Sequence, residues 1–120
     1  KVFFDGESRW KEGETRPMEQ AQEKVRKLME AYGLGTDPQA RMLDLSSEVG
    51  ELAKEVLKAT GYGTRPLAPT PSMEEELGDC LFSLLCLSES LGLEARSALG
   101  KVLRKYQRRF AESGEIGHRT

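Results

Sequence analysis

Histidine, tryptophan and cysteine are nearly missing from this chain of 120 residues, which holds one His, one Trp and two Cys. So few cysteines exclude a disulfide-stapled secreted scaffold. Cys80 and Cys86 stand six apart on one expected helix, point in different directions and lack the C-x-x-C spacing of a metal site. They read as small buried hydrophobes in a reducing, cytoplasmic setting. The lone His118 sits in a polar tail without a sequence partner and carries no catalytic role. Long apolar runs are missing too: Asp79 and Ser83 interrupt the best candidate before it reaches the ~18 residues of a membrane span. There is no leader pattern of basic start, apolar middle and small-residue cleavage site. Neither charge dominates, with 18 Lys and Arg against 20 Asp and Glu and a net charge of −2. That balance argues against a nucleic-acid polymer as partner. Gly61-Tyr62-Gly63 lacks the Gly-Lys-Ser/Thr ending of a phosphate-binding P-loop.

What is present is enough chain for one domain with a real core. Residues 1–16 form an expected N-terminal arm, either a small hairpin or partly disordered. Val2-Phe3-Phe4 suits a short strand, Asp5-Gly6 its turn, and Trp10 a hydrophobic anchor. Residues 17–113 form a helical domain, and 114–120 a polar tail. Pro17 opens a first helix that reaches Tyr32, where Gly33 and Gly35 stop it. Asp37-Pro38 is an N-cap and first helical residue for a second helix running to about Thr60. Pro66, Pro69 and Pro71 make a loop of 61–71. Ser72-x-x-Glu75 has the form of a capping box for a third helix that ends at Gly92. A fourth runs from about Leu93 or Glu94 to Glu112. Four helices with short connections and no convincing core strand define an all-α, four-helix bundle. Leu77, Leu81, Phe82, Leu84, Leu85 and Leu91 surround the third helix on most sides. A helix apolar nearly all round is buried nearly all round, so a homodimer or larger assembly is expected.

Two carboxylate pairs stand out, Glu48-x-x-Glu51 and Glu76-x-x-Asp79. At about 100° per residue each pair shares a helix face, extended by Glu55 on the second helix and Ser83 on the third. The second-helix stripe borders an apolar seam of Leu45, Val49, Leu52 and Val56. If the two helices pack antiparallel along their seams, the acids converge. Four neighbouring carboxylates cannot all stay ionised without counter-charge. An oxygen-only set suits Mg²⁺ or Mn²⁺ rather than zinc. Taken singly, the acids have blander readings. Glu51 and Glu55 lie within reach of Lys54 and Lys58 as surface pairs, and Glu76 suits the start of a helix. Asp79, with apolar neighbours on both sides, does not.

Ser46-Ser47-Glu48-Val49-Gly50-Glu51-Leu52, followed by Glu75-Glu76-Leu77-Gly78-Asp79, resembles the E-E-x-x-E…E-x-x-D signature of the MazG-like all-α nucleoside triphosphate pyrophosphohydrolases. Ala98-Leu99 and Lys105-Tyr106-Gln107-Arg108-Arg109-Phe110 resemble the family's C-terminal stretch. The likeness spans residues 18 to 110. It implies Mg²⁺-dependent cleavage of nucleoside triphosphates between the α and β phosphates, releasing a monophosphate and pyrophosphate. It also implies dimers or dimers of dimers, with active sites between helices of partner subunits. Glu48, Glu51, Glu76 and Asp79 would hold the metal, and Lys105 with Arg108 or Arg109 would meet phosphate oxygens. Glu48 and Glu51 are the candidate catalytic carboxylates, with Glu48 taking the proton of the attacking water. Two departures concern details: Ser47 replaces the first Glu of the signature, and Leu103 replaces an Asn that in close members touches the nucleotide. They sustain a rival expectation, a non-catalytic helical oligomerisation module with a structural or vestigial metal site.

Overall fold

A computed structural model of the protein describes residues 16–113. Apart from Arg16, the expected arm with Trp10 and the tail with His118 lie outside the described residues. Among those residues the fold is all-α, with four helices and no strand: α1 (Arg16–Tyr32), α2 (Pro38–Ala59), α3 (Pro71–Leu91) and α4 (Ala95–Ser113).

Local chemistry sets these boundaries. Gly33 follows α1 with φ +62°, a left-handed conformation that costs glycine little. The Asp37 side chain accepts from the Gln39 N–H, and Pro38 opens α2. At α3 the expected cap is displaced. The Thr70 hydroxyl, not Ser72, accepts from the first turn, at 3.1 Å from the Met73 nitrogen. Pro71, expected as the last loop residue, is the first of the helix. Thr70-Pro71 thus repeats Asp37-Pro38: an oxygen-bearing cap, then a residue whose missing N–H has no helical partner to lose. Gly92, at φ +69°, closes α3.

Residues 25–92 form one compact unit, and the buried apolar side chains Val25, Met29, Ala59, Leu85, Cys86 and Leu87 all belong to it. Within it α2 and α3 run antiparallel. The Ala68 N–H donates to the Ala59 carbonyl at the loop end, Glu48 meets Glu76 and Asp79 midway, and the charges of Arg41 and Asp44 act on Cys86 further along. The covered positions of α2 include Leu45, Glu48, Leu52, Glu55 and Ala59, and those of α3 include Met73, Glu76, Cys80, Ser83 and Leu87. Both sets follow the four-three spacing of a helix seam.

This corrects the expected seam. Leu45 and Leu52 are covered, but Val49 and Val56 are exposed, and Glu48 and Glu55 take the inner positions instead. The third helix is likewise covered on one side only within the chain. Ser83, Leu85, Cys86 and Leu87 are buried, whereas Leu77, Leu81, Leu84 and Leu91 remain 44–52% exposed. No described helix is long and apolar enough to cross a membrane.

The other unit comprises, among the described residues, 16–24 and 93–113. Its joint is the Gln22 side chain, which is buried. Its Nε2 donates to the Leu93 carbonyl at 2.9 Å, and its Oε1 accepts from the Ala95 N–H at 2.8 Å. One amide from α1 therefore satisfies an orphan donor at the start of α4. Arg96 and Glu19 add an ion pair at 3.6 Å.

Candidate metal centre

The acids meet because the α2 and α3 seams carry them inward at matching heights. Carboxylate oxygens of Glu48, Glu76 and Asp79 all lie within 4.8 Å of one another. Glu48 and Glu76 are half-buried in the seam, while Asp79 sits exposed at its rim. Asp79 thus differs from the expectation drawn from its apolar neighbours. Those neighbours include the outward-facing Leu77 and Leu81, so the apolar run does not bury it.

Glu51, the fourth expected ligand, stands outside this triplet. Its carboxylate is 3.7 Å from the Lys54 ammonium, and Glu55 likewise lies 3.8 Å from Lys58. Both are the i, i+3 pairs that sequence spacing allows, although Glu55 is half-buried rather than on the surface. Glu51 is nonetheless near enough for its charge to act on Glu76.

Electrostatics record the crowding. Partial burial, then the negative charges of Asp79, Glu48, Glu51 and Glu75, hold the Glu76 carboxyl above its usual range. Partial burial, then Glu48, Glu76 and Asp79, also push the Cys80 thiol up, which disfavours the nucleophilic thiolate. Sequence reasoning did not place Cys80 among the acids, although its i, i+4 relation to Glu76 carries that information. Both cysteines are free thiols.

The donor set fits a hard divalent cation. Oxygens sharing one Mg²⁺ at about 2.1 Å stand at most about 4.2 Å apart, and a larger cation allows more. The observed separations need only small side-chain adjustments. Three carboxylates without a nitrogen or sulfur ligand match Mg²⁺ or Mn²⁺ chemistry better than zinc.

The basic residues singled out by the sequence lie on α4, in the other unit. The Lys105 ammonium lies 4.9 Å from the centroid of the Tyr106 ring and the Arg109 guanidinium carbon 5.9 Å from it. Arg108 is exposed. The buried Gln107 Oε1 has no hydrogen-bond partner.

An all-helical chain that brings carboxylates from two helices to one point defines a class: helical proteins with an acidic cluster of the kind that could hold a metal ion. The family model of the MazG nucleotide pyrophosphohydrolase domain matches residues 36–112, a span that contains every carboxylate of the triplet. The chain belongs to the MazG family. Neither the curated proteins nor the solved structures yield a match to it.

Proposed function

We propose that this protein is a Mg²⁺-dependent nucleoside triphosphate pyrophosphohydrolase, converting ribo- or deoxyribonucleoside triphosphates to monophosphates and pyrophosphate. The observation that carries the reading is the convergence of Glu48, Glu76 and Asp79 within 4.8 Å in a chain of this family. These three, with Glu51 as the fourth carboxylate, would hold the cation, and Mn²⁺ would serve in its place. When bound, such an ion supplies charge neutralisation for the triphosphate and lowers the pKa of water.

The chain's own residues do the rest. Glu48, half-buried in the seam, accepts the proton of the attacking water. The new P–O bond forms as the bond to the bridging oxygen between the α and β phosphates breaks. Glu51, the second candidate catalytic carboxylate, stands 3.7 Å from the Lys54 ammonium and steadies the site. Lys105, Arg108 and Arg109 meet the phosphate oxygens, where guanidinium and ammonium groups offset the charge of the bound triphosphate. Removal of unwanted nucleotides from the cytoplasm is the cellular role we assign, in a compartment where free thiols at Cys80 and Cys86 persist.

Self-association is part of the proposal. The exposed leucines of α3 and the exposed Val49 and Val56 of α2 form apolar stripes that a second copy would cover, giving a homodimer or a dimer of dimers.

The test is pyrophosphate release from a panel of ribo- and deoxyribonucleoside triphosphates. Release is expected with Mg²⁺ or Mn²⁺ and none with chelator. A panel without any metal-dependent release would leave a helical association module in its place.

A further inference from the structure

Lys105 and Arg109 share one neighbour, the Tyr106 ring. Lys105 is half-buried and Arg109 exposed, so neither is fixed by a tightly packed core. The ring offers what packing does not. Its face attracts cations through the aromatic quadrupole within about 6 Å of the centroid. The Lys105 nitrogen, at 4.9 Å, and the Arg109 guanidinium carbon, at 5.9 Å, both fall inside that range. Tyr106 itself is 36% exposed, so the three side chains form a surface group open to a ligand. Neither cation forms an ion pair with a carboxylate among the described residues, so their charge is available to an anion.

Resting on the reading of Lys105 and Arg109 as phosphate contacts, we infer that Tyr106 is a positioning residue. Its ring gathers the two cations on α4 into one preorganised anion-binding pair for a pyrophosphate group. Lys and Arg side chains lose much rotamer freedom when they clasp a ligand. A ring that has already restricted them lowers that cost of binding. The role belongs to the aromatic face, not to the phenol hydroxyl. It acts equally on bound substrate and transition state, so its loss raises KM and leaves kcat nearly unchanged.

The experiment compares Tyr106→Phe and Tyr106→Leu in the full chain, with Tyr106→Met replacing the leucine variant if that one does not fold. Steady-state hydrolysis is measured with Mg²⁺, and binding of inorganic pyrophosphate with Mg²⁺ by calorimetry. Removing the ring is expected to raise KM about three- to tenfold, with kcat within about twofold and pyrophosphate binding weakened by a similar factor. Tyr106→Phe is expected to match the wild type in both. Unchanged KM and pyrophosphate affinity in the ring-less variant would overturn the inference, as would a Phe variant as impaired as the Leu one. If the wild type hydrolyses no nucleotide, the hydrolase reading falls. The calorimetric comparison then decides the role of Tyr106 alone.

Discussion

At the scale of single residues, Glu76 is where charge is most crowded. Its carboxyl is raised above the usual value of 4.5 by burial and by its acidic neighbours. The native chain therefore holds this proton to higher pH than the unfolded chain does. The stability this contributes is fully present below the unfolded value, near pH 4.5, and is lost as pH rises through the raised native value. At neutral pH an ionised Glu76 faces like charges, so Glu76→Gln is expected to melt higher than the metal-free wild type at pH 7.5, with the difference vanishing near pH 4. Mg²⁺ should raise the wild-type melting temperature at pH 7.5, less so at acid pH, and the Gln variant less at either. Scanning calorimetry with and without Mg²⁺ reads all of this, and a lower-melting Gln variant at neutral pH would contradict the repulsion. Asp79 offers a cleaner kinetic contrast, because its side chain is exposed. Asp79→Asn is expected to keep the wild-type fold and stability within about 0.5 kcal/mol while losing about 10- to 100-fold in turnover.

At the scale of elements, the punctuation of the chain was legible and the facing of its helices was not. Gly33, Asp37-Pro38 and Gly92 act through backbone geometry that needs no distant partner, so the bounds of α1 and α2 and the end of α3 follow from sequence to within a residue or two. The start of α3 misled because two oxygen-bearing caps, Thr70 and Ser72, compete within one turn, and proline at the first helical position decides for Thr70. Accordingly Thr70→Ala should destabilise the protein by about 1 kcal/mol, and Ser72→Ala should stay within about 0.5 kcal/mol. Chemical denaturation monitored by circular dichroism separates the two. Which stripe of α2 turns inward could not be read locally. Leu45 and Leu52 can pair with Val49 and Val56 or with Glu48 and Glu55, and hydrophobicity alone favours the valines. Only the partner helix, bringing Glu76 to the height of Glu48, shows that the acids take the inner seam. The same reason explains why three of the four expected carboxylates came together while Glu51 stayed beside Lys54. Gln22 was invisible to sequence reasoning because its two backbone partners, Leu93 and Ala95, lie some seventy positions away.

At the scale of the whole molecule, the exposed leucines are the surface on which the proposed assembly rests. Leu77, Leu81, Leu84 and Leu91 keep four-three spacing along α3, with Ser88 filling the remaining step, the repeat that knobs-into-holes packing uses. Leu81 is 52% exposed, so Leu81→Glu costs the isolated chain little. It is expected to convert an oligomer to a monomer in size-exclusion chromatography with light scattering, with helical content unchanged. An unaltered mass would place any association elsewhere. The α2–α3 hairpin thus divides its chemistry, with acids in the seam between its helices and leucines along the outward face of α3. A newcomer helix that docked on the wrong side, or slid round by one position, would press leucine against glutamate. Were copies to associate on that face, the division of the surface would itself disfavour misoriented neighbours, without any dedicated gatekeeper.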